Sequence, residues 1–252
     1  MVHYSLFTHK SAYKENTEDA VFADGVATQS NDYEHTGKTP SDCTAFAVFD
    51  GVSGSADGAL ASRTCAEAFE KLFCKKTFSS ALDVMDALEQ LQKRTLEAQA
   101  EAERTAQTTV VAALLQKECV WILNVGDSPL FLEANGYFEE ITTKDSYLAL
   151  LQKENGFVSD AQKEQHAHRL SHAIGAKSFD KHRAHVYRFD RKPGLRLFLM
   201  SDGVSDYFPK SKLAALSKSK RELPALAAYI RAEVIRLGAE DDFSWISVEV
   251  TE

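Results

Sequence analysis

The sequence predicts an α+β fold built on antiparallel sheets. Three observations carry that expectation: short β-rich runs separated by turn signals, two long stretches with helical apolar spacing, and an interleaving of strands and helices that lacks the regular alternation of a doubly wound parallel sheet. The 252 residues suit one large domain or two small ones.

Taken in order, the apolar AVFA at 20–23 is a short strand candidate preceded by Glu18 and Asp19. The polar run SNDYEHTGKTPS at 30–41 reads as a surface loop. Residues 44–49 (TAFAVF) read as a buried strand. Leu60, Ala61, Cys65, Ala68, Phe69 and Leu72 recur at helical spacing within 56–73. A longer helix is expected over 80–103, with Leu82, Met85, Leu88, Leu91 and Leu96 near one apolar stripe that belongs to the core. Short strands then follow at 108–115, 119–125, 129–133 and 137–141, and together they suggest an antiparallel meander. Asn135–Gly136 is a hairpin signal, because both central residues of a type I′ turn need positive φ. Residues 142–181 are polar and carry no assignable period. Strands are expected again at 185–189 and 196–200, a helical stretch broken near Pro224 over 210–237, and a last strand over 243–250. In that strand Trp245 and Ser247 take one face and Ile246, Val248 and Val250 the other.

Composition narrows the function. Apolar residues make up 44% and charged residues 26%, so the chain can bury a sizeable core. The formal charge of -8 argues against nucleic acid as a partner, since phosphate backbones need a Lys/Arg surface. Cys43, Cys65, Cys74 and Cys119 form no C-x-x-C pair, and nothing in their spacing suggests a zinc knuckle or an oxidising compartment. The N-terminal MVHYSLFTHKSAYKENTEDA has no apolar run of signal-peptide type, and no apolar run approaches membrane-spanning length. A soluble cytoplasmic protein with no membrane partner is the expectation.

Acidic residues stand at the ends of strand candidates. Asp50 follows AFAVF, Asp127 follows ILNVG, Asp202 follows LFLMS, Asp241 precedes FSWISVEV, and Glu18 and Asp19 precede AVFA. Each one alone also fits a turn or a helix cap. Gathered together they would repel and resist ionising, and a hard divalent cation removes that penalty. Ligands that are all oxygen select Mg²⁺ or Mn²⁺ over zinc. Gly51 and Gly203 directly follow two of the aspartates and let the backbone approach an ion or a phosphate, so the Gly51 carbonyl is itself a candidate ligand.

The motifs NTEDA (16–20), VFDGVSG (48–54), GDS (126–128), SDGVSD (201–206) and DDFS (241–244) occur in an order that resembles the protein phosphatase 2C family, the PPM class of metal-dependent Ser/Thr phosphatases. The resemblance spans nearly the whole chain. It implies one catalytic domain over 1–252, a central sandwich of two antiparallel sheets flanked by helices on both faces, and a variable flap at about 142–177. It also implies two Mn²⁺ or Mg²⁺ ions. Asp50 would bridge them, the Gly51 carbonyl would bind one, and Asp202 and Asp241 would complete the shell of the other. Glu18 and Asp19 would hold metal-bound waters, and Asp127 with Asp202 would form a third, weaker site. The catalytic residues implied are Asp50, Asp202 and Lys14, with Lys14 in the place of the family's phosphate-binding arginine; Lys10 is a less apt substitute. An activated water would attack a phosphoserine or phosphothreonine of a protein substrate, opposing a Ser/Thr kinase in bacterial signalling.

The chain departs from the family at several points. Val52-Ser53 stands where many members have a histidine, Asp242 replaces the usual asparagine, and Pro129 replaces an arginine after GDS. Ser171-His172-Ala173-Ile174-Gly175 resembles the family's S/T-R-A-x-G beside the flap. His166, His168 and His172 suggest a solvated polar face rather than a histidine metal cluster. The alternatives are a weak or inactive phosphatase-like module that binds phosphoproteins or a signalling partner, and a hydrolase of small phosphoesters. The retained Asp50, Asp202 and Asp241 favour an enzyme.

Overall fold

The computed structural model describes residues 1–40, 42–74, 76–166 and 169–252. Its strands are β1 (Val2–His9), β2 (Ala20–Ala23), β3 (Val26–Thr28), β4 (Asp32–Thr39), β5 (Thr44–Phe49), β6 (Val110–Leu115), β7 (Cys119–Val125), β8 (Leu130–Ala134), β9 (Tyr137–Glu140), β10 (His185–Asp190), β11 (Arg196–Met200) and β12 (Phe243–Val250). The helices are α1 (Gly58–Phe69), α2 (Ala81–Ala102), α3 (Tyr147–Asn155), α4 (Asp160–His166), α5 (Asp202–Ser205), α6 (Lys210–Ser219) and α7 (Leu223–Leu237).

Every residue of β5, β6 and β7 is buried. Because successive side chains of a strand point to opposite faces, such strands need a layer on each side. In β5, Phe46 and Val48 meet Val111, Ile122, Leu197, Leu199, Ile246 and Val248 in a core between two sheets. Ala45, Ala47 and Phe49 of the same strand turn the other way, under Cys65 and Phe69 of α1 and Leu88 and Leu91 of α2. On the far side Phe198, Trp245 and Phe243 pack under α6 and α7 through Leu213, Leu226, Ile230 and Val234. Among the described residues two six-stranded sheets result, in the orders β4-β1-β12-β11-β8-β9 and β10-β7-β6-β5-β2-β3, with every pairing antiparallel. This is the helix–sheet–sheet–helix sandwich that the resemblance implied.

Local chemistry sets the element ends. Ser80 and Asp83 form a reciprocal capping box at the start of α2, and Glu103 ends that helix at φ 54°. Pro224 lies in the first turn of α7, where its missing N–H costs nothing, so the break expected near it falls at the start of a new helix. Asn135 and Gly136 take φ values of 53° and 84° in the β8–β9 turn, as the hairpin signal required.

Four expectations are corrected. The polar run at 30–41 contains β4, an exposed edge strand paired with β1 in full register; a strand with little buried side gives no apolar signal. The runs from 108 to 141 are not one meander: β6 and β7 pair in one sheet, β8 and β9 in the other. Leu82 and Leu96 are 59% and 39% exposed, and the buried stripe of α2 runs through Val84, Ala87, Leu88, Leu91, Gln92 and Thr95. The stretch 142–181 includes α3 and α4. No helix among the described residues is long and apolar enough to cross a membrane.

Candidate metal centre

The strands that carry the acidic residues end at one edge of the sandwich, and the turns after them deliver the side chains. Asp50 follows β5, and its backbone is pinned by the two residues that lead into β6: Asp50 N–H donates to Thr109 Oγ1 at 3.2 Å, while its carbonyl accepts from Thr109 N at 2.9 Å and Thr108 Oγ1 at 2.8 Å. The side chain is left to line a cleft of about 130 Å³ with Gly51, Asp127, Asp202, Asp241 and Leu170. Asp127 lies in the crossing from β7 to β8, the point where the chain changes sheets. Gly126 before it has φ 101°, and a Cβ there would stand 2.6 Å from Thr109 Cγ2. Asp202 opens α5 after β11, and Asp241 precedes β12. Every carboxylate expected at this site from Asp50 to Asp241 therefore reaches the same region.

Glycine is required where the turns meet. A Cβ on Gly51 would stand 2.5 Å from the Glu18 carbonyl and 2.7 Å from Gly58, so Glu18 is pressed against the Asp50 turn. A Cβ on Gly203 would stand 2.0 Å from the Asp242 carbonyl, which is what holds Asp202 and Asp241 close.

Asp19 is fully buried and staples three strands. Its Oδ2 accepts from Ser201 Oγ at 2.8 Å and Ser244 Oγ at 2.7 Å, and Ser201 Oγ accepts from Ser244 N–H at 2.9 Å. Its Oδ1 is buried without a hydrogen-bond partner. Such an orphaned oxygen facing a carboxylate cluster suits a metal-bound water.

Electrostatics support the same use. Burial first, and then the charges of Asp202, Asp19, Asp127 and Asp241, push the Asp50 carboxyl well above the usual carboxylate range. Burial, Asp127 and Asp241 push Asp202 up to about 7, with the hydrogen bond to Asp50 opposing. Burial and the Asp242 charge also raise Asp19, against the hydrogen bonds from Ser244 and Ser201. Carboxyls that repel in this way are relieved by a divalent cation. Oxygen-only donors, the Gly51 backbone and the unpartnered Asp19 oxygen all fit Mg²⁺ or Mn²⁺. Among the described residues, however, no three His, Cys, Asp or Glu side chains already surround one ion-sized position.

A basic group explains part of that geometry. Lys14 Nζ donates to Glu18 Oε2 at 2.8 Å, Asp241 Oδ1 at 2.9 Å, Ser53 Oγ at 2.9 Å and Asp242 Oδ2 at 3.1 Å. Burial pulls its pKa down, but the hydrogen bonds to Glu18 and Asp241 and the nearby Asp242 charge outweigh it and hold the ammonium above the ordinary lysine value. Lys10 does not reach the cleft carboxylates; its Nζ donates to the carbonyls of Ser11 and Lys14.

Sequence reasoning missed a supporting network. Asp145 Oδ2 accepts from Gly126 N–H at 3.0 Å and pairs with His172 Nδ1 at 3.3 Å, while Oδ1 pairs with His185 Nε2 at 3.0 Å. Because His172 Nε2 accepts from Asp180 N–H, the proton sits on Nδ1. Burial works to raise Asp145, and the bonds from His172, Gly126 and His185 outweigh it and hold the carboxylate ionised. His172 is thus a buried partner of Asp145 rather than part of a solvated face. His166 packs edge-on against Tyr147, and His168 lies outside the described residues. The only hint in the sequence was the departure from arginine at His172.

Comparison with known proteins agrees with this arrangement. The family profile described as Protein phosphatase 2C matches residues 22–235. A serine/threonine phosphatase stp from Listeria welshimeri is 31% identical over 144 residues, covering 56% of this chain and 56% of that protein. The chain thus spans about half the length of the curated relatives it matches. The fold matches the serine/threonine phosphatase PstP/Ppp of Mycobacterium tuberculosis at a TM-score of 0.79 and 19% identity, with 100% of both chains covered. It also matches a catalytic domain of PstP solved in complex with two manganese ions, at 0.78 and 20%, again over 100% of both chains. With the profile matching most of its length and its acidic motifs gathered at one end of the matching sandwich, the chain belongs to the protein phosphatase 2C family.

Proposed function

We propose that this chain is a metal-dependent protein serine/threonine phosphatase that hydrolyses phosphoserine and phosphothreonine with two Mn²⁺ or Mg²⁺ ions. The observation that carries the reading is the convergence of Asp50, Asp127, Asp202 and Asp241 on one cleft, where burial and mutual repulsion raise Asp50 and Asp202.

Asp50 and the Gly51 carbonyl would hold one ion, and Asp50, Asp202 and Asp241 the other. Asp127 with Asp202 would offer a third, weaker position. When bound, the ions supply a water acidified towards neutral pH and neutralise charge on the phosphoryl oxygens. The chain's own groups do the remainder. Glu18 and the free oxygen of Asp19 accept hydrogen bonds from water and orient it. Ser201 and Ser244 fix Asp19 so that one oxygen alone faces the centre. Lys14 supplies a positive charge for a phosphate oxygen, with less directional grip than the fork of an arginine. No histidine follows Gly51, so the leaving oxygen takes its proton from water, while the Ser53 hydroxyl in the same cleft donates to Glu18 at 2.7 Å. The flap at about 142–177 would contact the protein substrate, and a Ser/Thr kinase would supply that substrate.

Hydrolysis of a phosphothreonine peptide tests the reading. Turnover that requires Mn²⁺, stops in EDTA and is lost in Asp202→Ala is the expected result. Turnover that survives EDTA or Asp202→Ala would overturn it.

A further inference from the structure

Lys14 departs from the family pattern together with a second residue. The family pattern that the motifs resemble has arginine and asparagine at the places of Lys14 and Asp242, and here the two side chains meet. The Asp242 carboxylate is a fixed anchor: it is 2% exposed and accepts from the backbone N–H groups of Ser11 at 2.7 Å and Glu18 at 2.8 Å. The ammonium has three N–H groups for the four acceptors Glu18, Ser53, Asp241 and Asp242, so its contacts are shared and exchangeable. A compact ammonium meets all three carboxylates from one point, whereas a planar guanidinium fork favours pairing with one carboxylate at a time.

We propose that Lys14 is a built-in counter-cation of the centre, anchored by Asp242, and that a divalent ion held by Asp241 displaces it towards the substrate phosphate. This rests on the metal-dependent reading above. A doubly charged ion at about 2.1 Å from the Asp241 oxygen outcompetes one positive charge at 2.9 Å, because the attraction scales with charge over distance. The backbone stays in place during the exchange. Lys14 N–H donates to Ser11 Oγ at 3.2 Å and its carbonyl accepts from Lys10 Nζ at 2.8 Å, so only the four-carbon stem swings. Metal loading and phosphate capture then become ordered, with the metal first.

The test follows the ammonium itself. Protein labelled at lysine Cε and Nζ is titrated with Mg²⁺ by NMR, with Lys14 assigned by the loss of its signal in Lys14→Arg, while calorimetry records Mg²⁺ binding. The Lys14 signal should move in step with Mg²⁺ occupancy, and move again with inorganic phosphate only after Mg²⁺ is bound. Asp242→Asn should tighten Mn²⁺ binding by about fivefold, although it removes a negative charge, because it loosens the resident cation. Mg²⁺ binding with the Lys14 signal unmoved, or weaker Mn²⁺ binding in Asp242→Asn, would overturn the inference alone. If Asp242→Asn does not fold, the titration of the wild-type chain decides. Wild-type protein that binds neither ion would overturn the metal-dependent reading and this inference with it.

Discussion

Replacing Asp202 with asparagine should stabilise the divalent-free protein while removing its activity. Burial, Asp127 and Asp241 move the Asp202 carboxyl from 3.8 up to about 7. A carboxyl raised by folding stays protonated in the native state when the unfolded chain has already released its proton. The native state is therefore favoured below about pH 4 and loses that advantage as pH rises to about 7. At about 1.4 kcal/mol per pH unit, the span corresponds to about 4 kcal/mol. Asp202 is hydrogen-bonded to Asp50 and shares that span with it, so its own share is on the order of 2 kcal/mol. In a chain of this size each kcal/mol moves the melting point by about 2–4 °C. Asp202→Asn should thus melt about 4–8 °C above wild type in EDTA at pH 8, with the gap narrowing at pH 5. Adding Mn²⁺ should reverse the order, since ligand binding stabilises only a protein that binds it. Circular dichroism melts at the two pH values read this directly. A variant that melts at or below wild type in EDTA at pH 8 would refute the idea that repulsion in the cleft destabilises the ion-free fold.

Two further substitutions probe the scaffold of the site. Gly203→Ala places a Cβ 2.0 Å from the Asp242 carbonyl, so the Asp202 and Asp241 turns must separate. It should cost about 1–3 kcal/mol of stability and lower phosphopeptide turnover while the far-ultraviolet spectrum stays native; full activity would show that the spacing of the two turns is not needed. Asp145→Ala strands the buried Gly126 N–H and the His172 and His185 rings, at a cost of about 1–3 kcal/mol. It should also weaken Mn²⁺ binding at Asp127 in calorimetric titrations, and an unchanged binding curve would show that the loop holds its shape without this anchor.

The sequence by itself determined the elements with strong periodicity and the positions of the candidate ligands. Strands 44–49, 185–189, 196–200 and 243–250, the long helices and the Asn135–Gly136 turn were legible because one apolar face, or one obligatory backbone conformation, leaves a local mark. Asp50, Asp127, Asp202 and Asp241 were legible because a carboxylate at either end of an apolar strand has no packing role to hide behind. Tertiary structure alone decided the rest. Whether β8 and β9 pair with β7 or cross to the other sheet depends on what fills the space between the sheets, and alternation is the same in both cases. The edge strand β4 is specified by the backbone of β1, which leaves no trace in its side chains. The ties from Lys14 to Asp241 and Asp242 and from Asp145 to Gly126 join residues far apart in the chain. Nothing in local spacing records such long-range pairing; it exists only once the two sheets have closed on their common core.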